Sequence, residues 1–323
     1  METVPLLEAD ALEITMLVDN QIDALLGGDE GIRRHPWAHR AYNPFLESGE
    51  GLETLHAEHG FSALLRVRNG DETHTLLFDA GVSPDGMVEN MAQLEIDPKE
   101  IEAVALSHGH ADHTAGLAGL SKRLGPANMP MLVHHLAFTK RRSAPPRGRP
   151  APLNAPSRSA IEGAGFEIVD AVDPSLIFQG SLLLTGEVPR VSEFEQGFPY
   201  FQKDIGNGWE PEPHLMDDQG LVANVKGKGL VVLTGCGHAG IVNIVKRAQE
   251  VTGIERVYAV LGGFHLPGAF FEPVIPQVVA AFRGWAPDVI VPAHCTGYRA
   301  QQALAAALPD SYVHNAVGTT YVF

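Results

Sequence analysis

The sequence predicts an α/β fold built as a four-layer αββα sandwich, in which two sheets pack face to face and helices cover their outer faces. Short, wholly apolar segments such as residues 103–106 and 230–233 have the length and composition of buried strands. The strand-like segments fall into two sets along the chain, and segments with helical periodicity, such as residues 86–95 and 241–251, flank them. A third observation is the turn signal Asn-Gly-Asp at residues 69–71, which lies between two alternating segments and predicts a hairpin.

The predicted strands are short segments that alternate or are continuously apolar, and glycine, proline, asparagine or aspartate bounds them. Helices are predicted where apolar residues recur with a period near 3.6. In chain order, strands are predicted at residues 12–18, 61–68, 73–79, 103–106, 131–135, 166–169, 182–184, 221–225, 230–234, 257–261, 289–291 and 313–323, and helices at residues 86–95, 114–124 and 241–251.

The chain is predicted to form one domain over residues 1–323, with loop insertions near 27–56, 141–160 and 190–218. Residues 143–159 are crowded with proline, arginine and glycine. Loops of that length in a compact domain are usually lids or disordered segments. This segment is therefore either a flap over the site or a stretch that runs through solvent.

Composition predicts a soluble enzyme with a small-molecule substrate. Hydrophobic residues make up 45% of the 323 residues and charged residues 19%, which suffices for a full core. The net charge of −16 argues against a nucleic-acid partner, which would need a basic face. Two cysteines fit a reducing compartment, and the sequence carries neither a signal-peptide pattern nor an apolar stretch of membrane-spanning length. We therefore expect a cytoplasmic protein with no membrane partner, and the oligomeric state stays open.

Four side chains that can bind metal lie within six residues, directly after the apolar segment 103–106. They are His108, His110, Asp112 and His113. Imidazole nitrogen and carboxylate oxygen together suit zinc, iron or manganese. His108 and His110, two apart on an extended segment, point the same way and are expected to share one ion. Asp112 and His113 follow the turn toward a helix and are expected to face a second ion. The alternative is a solvated histidine-rich turn.

The segment at residues 107–116 resembles the HxHxDH signature of the metallo-β-lactamase superfamily. Further segments are similar to one branch of it, the metal-dependent hydrolase-like proteins that include an archaeal dihydropterin aminobenzene ribofuranosyl phosphate synthase. Those segments lie at residues 78–81, 185–190, 235–243, 262–266 and 292–297, and the resemblance runs from residue 17 to the closing strand. It implies a metallo-β-lactamase fold and two divalent transition-metal ions, with zinc expected first and iron or manganese also suitable.

The resemblance also implies ligands from distant loops. His294 stands where the superfamily supplies its last histidine, for the second ion. The usual Pro-Gly-His turn is replaced by one that ends in Glu187, which leaves Glu187 as a ligand, an anchor for a histidine or a substrate contact. The usual bridging aspartate is replaced by Cys236, either a thiolate ligand or a buried thiol. His238 is then expected to complete the first site, and His265 is either a pocket residue, an outer ligand or a structural histidine.

These residues predict a metal-dependent hydrolase of a small ester, amide or phosphodiester. A bound metal lowers the pKa of water toward about 7 and so makes it a nucleophile. Asp112 is predicted to orient that water and accept its proton. The alternatives are a transferase resembling the dihydropterin synthase, or a metal-containing binding or sensing protein. The residues that contact the substrate cannot be named from the sequence, because specificity lies in loops grafted on a shared scaffold.

Overall fold

The structure is a computed structural model and describes residues 3–35 and 40–323. Residues 36–39 of the predicted insertion near 27–56 lie outside the described residues. The strands are β1 (Glu8–Ala9), β2 (Ala11–Val18), β3 (Ile32–Arg33), β4 (Arg40–Tyr42), β5 (Glu50–Leu52), β6 (Ser62–Asn69), β7 (Glu72–Phe78), β8 (Ala103–Ala105), β9 (Met129–Val133), β10 (Arg141–Ser143), β11 (Ala151–Leu153), β12 (Phe166–Asp170), β13 (Ser175–Ile177), β14 (Leu182–Leu184), β15 (Phe201–Asp204), β16 (Trp209–Pro211), β17 (Gly220–Val225), β18 (Gly229–Thr234), β19 (Val257–Gly263), β20 (Val289–Ala293) and β21 (Thr320–Val322).

The α-helices are short to medium in length, and none in the described ranges is long and apolar enough to cross a membrane. They are α1 (Gly86–Gln93), α2 (Ala111–Thr114), α3 (Leu117–Leu124), α4 (Arg158–Gly163), α5 (Ile241–Thr252), α6 (Gly268–Phe271), α7 (Ile275–Trp285) and α8 (Tyr298–Ala307). Short 3₁₀ segments lie at Pro98–Glu100, His135–Phe138, Phe178–Gly180, Glu272–Val274 and His294–Thr296.

Two large sheets form the centre of the molecule. The eight-stranded sheet has the order β12-β9-β8-β7-β6-β2-β21-β3. The seven-stranded sheet has the order β13-β14-β17-β18-β19-β20, and β1 pairs with β17. Strands β7, β8, β9 and β12 are parallel to one another, as are β18, β19 and β20. Parallel strands have their carboxyl ends at the same edge, so the loops that follow them gather there.

Alternate side chains of the continuously apolar strands point to opposite faces, and both faces are buried. Val231 belongs to the cluster between the two sheets, whereas its neighbour Val232 packs with helices α5, α7 and α8 on the outer face. In the other sheet, Leu76 faces the space between the sheets and Leu77 faces the layer that contains α1, α3 and α4. The order of layers is therefore helix, sheet, sheet, helix, and the predicted αββα sandwich is confirmed.

Most predicted elements are present, but three of them differ clearly in extent from the expectation. The helix expected at residues 114–124 is divided into α2 and α3 by Ala115 and Gly116, where the chain passes within close reach of the carbonyl of Ala80. The strand expected at residues 131–135 ends at Val133, because the side chain of His134 accepts the backbone N–H of Leu136 and starts a 3₁₀ turn. The closing segment 313–323 is a strand only at its end, in β21, which pairs with β2.

The two insertions at 141–160 and 190–218 combine into one small sheet. Its order is β11-β10-β15-β16, so strands from one insertion pair with strands from the other. Residues 151–153 of the segment that was expected to be either a flap over the site or a stretch in solvent are therefore part of this sheet. A separate two-stranded hairpin, β4-β5, forms from the insertion near 27–56.

Candidate metal centre

The predicted ligands come together at the edge where the parallel strands of both large sheets end. The loop after β8 carries His108 and His110, and helix α2, which follows it, carries Asp112 and His113. The loop after β18 carries Cys236 and His238. The loops after β19 and β20 carry His265 and His294. The sheet topology therefore brings residues that are up to about 190 positions apart into two adjacent clusters.

The second cluster contains Asp112, His113, Cys236 and His294. The Sγ atom of Cys236 lies 3.1 Å from Nε2 of His113 and 3.3 Å from Nε2 of His294. Oδ2 of Asp112 lies 3.4 Å from Nε2 of His294 and 3.7 Å from Nε2 of His113. Ligands about 2.0–2.3 Å from a tetrahedral zinc ion lie roughly 3.3–3.8 Å from one another. Three of these four distances fall in that range and the fourth is slightly shorter, so the donor atoms are close enough together to bind one ion.

The first cluster contains His108, His110 and His238, whose donor atoms lie within 4.8 Å of one another. Nε2 of His238 lies 3.1 Å from Nδ1 of His110. Nε2 of His108 and Nε2 of His110 are buried and have no hydrogen-bond partner among the described residues. Buried nitrogens are normally paired, so these two orphaned atoms fit a bound cation. Three imidazoles suit zinc, iron or manganese, and both clusters therefore fit the metal ions that the sequence predicted.

Burial keeps most of these imidazoles neutral and so able to bind a cation. It lowers the pKa of His110 to about 4. Burial, reinforced by neighbouring imidazoles, holds the pKa of His108 and of His238 well below the usual range. His113 differs, because the carboxylate of Asp79 overcomes the effect of burial and raises the pKa of His113 to about 9. A cation at the second cluster must therefore displace a proton from His113.

Asp79 orients His113 by contacting Nδ1, the ring nitrogen that faces away from the second cluster. Its Oδ2 atom accepts hydrogen bonds from Nδ1 of His113 and from Oγ of Ser107, each at 2.7 Å, and its Oδ1 atom accepts the backbone N–H of Ser107 at 2.7 Å. With its proton on Nδ1, His113 presents Nε2 to the cluster. Asp79 belongs to the segment 78–81 that carries the family resemblance, but no local pattern in the sequence assigns it this contact.

A second carboxylate, Asp19, fixes the turn that carries His294. Its Oδ1 atom accepts the backbone N–H of His294 at 2.7 Å, and its Oδ2 atom accepts from Nδ2 of Asn315 at 2.7 Å. Nδ2 of Asn20 donates to the carbonyl oxygen of His294 at 2.9 Å. The backbone of His294 has a φ of 45°, a left-handed conformation that histidine adopts only when its surroundings hold it there. Both backbone groups of His294 are thus held by residues that follow β2.

Asp217 supports the loop of the first cluster. Its Oδ2 atom accepts the backbone N–H of Gly109 at 3.0 Å, and its Oδ1 atom lies 2.8 Å from a guanidinium nitrogen of Arg141. Arg141 is buried and also contacts Glu212 at 2.5 Å. Gly109 is required here, since a Cβ atom on it would lie 1.9 Å from the carbonyl oxygen of Ala137. The sequence analysis missed Asp217 and Arg141, which no local pattern marked.

Asp218 is buried beside the first cluster. Its Oδ2 atom accepts the backbone N–H of Ala239 at 2.8 Å, and its Oδ1 atom lies 3.9 Å from Nδ1 of His108. Burial raises the pKa of Asp218 to about 7. Nδ1 of His108 lies closer to Oγ of Ser107, at 2.9 Å. Asp218 therefore lies near His108 without a direct hydrogen bond to it.

Glu187 and His265, whose roles the sequence did not decide, lie outside the first and second clusters. Glu187 is in neither cluster: its carboxylate lies 3.2 Å from Nε2 of His134 and is partly exposed. His134, the histidine that Glu187 contacts, belongs to neither cluster, so Glu187 anchors none of the predicted ligands through this contact. His265 forms a third group with Cys236 and His238, and its ring lies 4.1 Å from that of His238. His265 therefore borders the first cluster.

His59 lies on the solvent side of the second cluster, and its side chain is 70% exposed. Its ring stacks on His294 at 5.0 Å, and its Nε2 atom lies 3.9 Å from Oδ2 of Asp112. Asp112 is itself 22% exposed, whereas His113 and His294 are buried. Burial acts to raise the pKa of Asp112, but the hydrogen bond with His294 and the charge of His113 outweigh it and hold that pKa below its usual range. Asp112 is thus an ionised carboxylate on the solvent side of the cluster.

An αββα sandwich with paired clusters of metal-binding side chains at the carboxyl edge of its sheets defines a class of metal-dependent proteins. A family model described as "Metallo-beta-lactamase superfamily" matches residues 57–238. The chain belongs to this superfamily, whose members are enzymes that use divalent metal ions.

Among curated proteins, the chain is 34% identical over 248 residues to 7,8-dihydropterin-6-methyl-4-(beta-D-ribofuranosyl)-aminobenzene-5'-phosphate synthase of Methanocaldococcus jannaschii, a match that covers 76% of this chain and 83% of the synthase. It is 31% identical over 277 residues to an uncharacterized protein of the same organism, which covers 84% of this chain and 96% of that protein. Among solved structures, Tm1679, a metal-dependent hydrolase of the beta-lactamase superfamily, aligns with a TM-score of 0.70 and 25% identity over 96% of this chain and 98% of that one.

Proposed function

We propose that the protein is a dinuclear metal-dependent hydrolase that cleaves a small ester, amide or phosphodiester in the cytoplasm. The observation that carries the proposal is the position of Asp112, an ionised and partly exposed carboxylate among the buried donor atoms of the second cluster. Hydrolysis needs a group of this kind, because water must lose a proton as it attacks.

Divalent transition-metal ions, with zinc first, would supply a Lewis acid and lower the pKa of a water molecule at the site. His108, His110 and His238 would hold one ion, and Asp112, His113, Cys236 and His294 the other. Oδ2 of Asp112 faces the imidazoles of the second cluster, which leaves Oδ1 as the atom that accepts the proton. Burial raises the pKa of the Cys236 thiol, so Cys236 would bind as a thiolate only when a cation replaces its proton.

A second candidate function is a transfer reaction, and the similarity to the archaeal synthase over most of its length favours it. In that case the same residues would hold a nucleophile other than water, and Asp112 would still accept its proton. A small-molecule substrate fits either function. The net charge of −16 disfavours a polyanionic substrate such as a nucleic acid.

Metal analysis and a substrate panel test the proposal. The purified protein is expected to bind two equivalents of zinc, manganese or iron and to hydrolyse at least one of a set of phosphodiesters, lactones and simple esters. His110→Ala should remove one metal equivalent and the activity, and Asp112→Asn should lower kcat by about a hundredfold or more while substrate binding persists. His56→Ala, a change at an exposed histidine outside both clusters, is the matched control.

The outcomes separate the two candidate functions. If the metal-loaded protein hydrolyses nothing in the panel but joins a reduced pterin to an aminobenzene ribose phosphate, the transfer reaction replaces the hydrolase. If His110→Ala keeps both metal equivalents and full activity, the assignment of the first cluster is wrong.

A further inference from the structure

A cavity of about 120 Å³ lies against the first cluster. His238 and His265 form part of its wall, so the cavity opens directly beside donor atoms of the proposed metal site. The remaining wall is largely apolar. Its side chains come from the insertion before β15 and from the loop and helices after β19, namely Phe194, Gln196, Phe264, Leu266, Phe270, Phe271 and Val274.

Aromatic rings surround this space in edge-to-face and stacked contacts. Phe271 meets the ring of His265 at 4.9 Å with an angle of 85° between the planes. Phe198 stacks on Phe271 at 5.6 Å and meets Phe270 edge-on at 5.3 Å. Aromatic pairs of this kind are attractive beyond the area that they bury, and a further ring would extend the same pattern. Phe270 is 46% exposed, which places it between the cavity and solvent.

The wall offers no charge for a ligand to pair with. Among the described residues that line the cavity there is neither a lysine nor an arginine. The single carboxylate, Glu195, is buried and already accepts the backbone N–H groups of Val242 and Asn243, each at 3.0 Å, and the hydroxyl of Ser192 at 3.2 Å. A charged group placed here would lose its hydration without gaining a partner among these side chains, so the wall favours an uncharged occupant.

We propose that this cavity binds one uncharged six-membered aromatic ring of the substrate, and that the reacting group is joined to this ring directly or by a short linker. The volume supports a single ring, because an apolar cavity of about 150 Å³ takes up benzene. Since His238 is both wall and candidate ligand, a ring in the cavity holds its substituent next to the first cluster. The inference rests on the proposed function for the reaction and adds the class of substrate.

The test compares two esters of the same alcohol with the zinc-loaded protein. Methyl benzoate carries the ring and methyl acetate does not, and each rate is divided by the rate of the same ester in alkaline solution. Removing a ring-sized apolar surface from water favours binding by about tenfold to a hundredfold. The normalised kcat/KM for methyl benzoate is therefore expected to exceed that for methyl acetate by about tenfold or more.

Two variants change the cavity in opposite directions. Val274→Trp fills it and should reduce the benzoate-to-acetate ratio about tenfold. Phe270→Ala removes a partly exposed wall of the cavity and should also reduce the ratio. Phe45→Ala, which alters a 95% exposed phenylalanine outside the cavity, should leave the ratio unchanged. Calorimetric titration with benzyl alcohol and with 1-butanol measures binding without turnover, and only benzyl alcohol should bind.

Failure of this inference and failure of the hydrolase proposal give different results. Equal normalised rates for the two esters, with no binding of benzyl alcohol, overturn the ring cavity and leave the hydrolase standing. Binding of benzyl alcohol that Val274→Trp abolishes, with neither ester hydrolysed, supports the cavity and counts against the hydrolase. Absence of both binding and turnover overturns the cavity inference.

Discussion

Replacing Asp79 by asparagine tests how the second cluster is held. The change preserves shape, and asparagine tolerates the left-handed backbone at this position, where φ is 59°. It removes the charge behind three hydrogen bonds, one from His113 and two from Ser107. An asparagine NH₂ group facing Nδ1 of His113 would favour the tautomer with its proton on Nε2, the atom that must be free to bind a cation.

The magnitude follows from those contacts. A hydrogen bond to a charged group contributes about 1.5–3 kcal/mol, and the asparagine side chain would keep an oxygen acceptor for Ser107 but lose the charge-assisted bond to His113. We therefore expect Asp79→Asn to lower the free energy of unfolding of the metal-free protein by about 2 kcal/mol. Metal affinity at the second cluster should fall about tenfold to a hundredfold, as is usual when the partner of a metal-binding histidine is changed.

Chelator competition measures the affinity, and urea denaturation of the metal-free protein measures the stability. Asp85→Asn is the matched control, because Asp85 is half exposed and lies 3.4 Å from a lysine that is also exposed. It should change neither quantity appreciably. If Asp79→Asn bound both metal equivalents as tightly as the unchanged protein, Asp79 would not orient His113 for metal binding.

Two further predictions concern the first cluster. Gly109→Ala should destabilise the protein by at least about 2 kcal/mol and reduce metal content, because its Cβ would strike the backbone of Ala137. The control is Gly163→Ala, in a helix with open space around it, which should be neutral or stabilising by about 0.5–1 kcal/mol in urea denaturation. Equal effects of the two changes would count against the close packing of the loop that carries Gly109. Asp218→Asn should alter how the free energy of unfolding of the metal-free protein depends on pH. Since burial raises the pKa of Asp218 from 3.8 to about 7, the folded state binds the extra proton, and its contribution to stability is present below about pH 4 and lost as the pH rises through about 7. Relative to Asp218→Asn, the unchanged protein should lose up to about 4 kcal/mol between about pH 4 and pH 7, and parallel stability curves for the two proteins would refute this.

The sequence predicted the large sheets well because both faces of their strands are buried. Segments such as 230–234 and 257–261 carry a continuous apolar signal that does not depend on distant partners. The small sheet was missed for the opposite reason. Its strand β10 pairs with β15, some 60 residues later, and neither has an apolar pattern that local periodicity detects.

The donor atoms could be found from the sequence because they are chemically distinctive, and His238 was found because a histidine follows Cys236 in the same loop. The residues that hold these donors in place could not be found from the sequence. Asp19 and Asp217 act through backbone N–H groups of distant residues, and a loop aspartate looks the same in the sequence whether it faces a turn, solvent or a loop from the other sheet.

The ion pair between Arg141 and Asp217 has a consequence for attempts to alter specificity. Arg141 belongs to the small sheet, and Asp217 holds the backbone of Gly109 in the metal loop. A chimera that replaced this sheet with the corresponding segment of a relative would leave Asp217 as a buried charge without its partner, and that charge is next to the first cluster. Grafting of new loops onto this scaffold should therefore succeed only when Arg141 and Asp217 are transplanted or removed together.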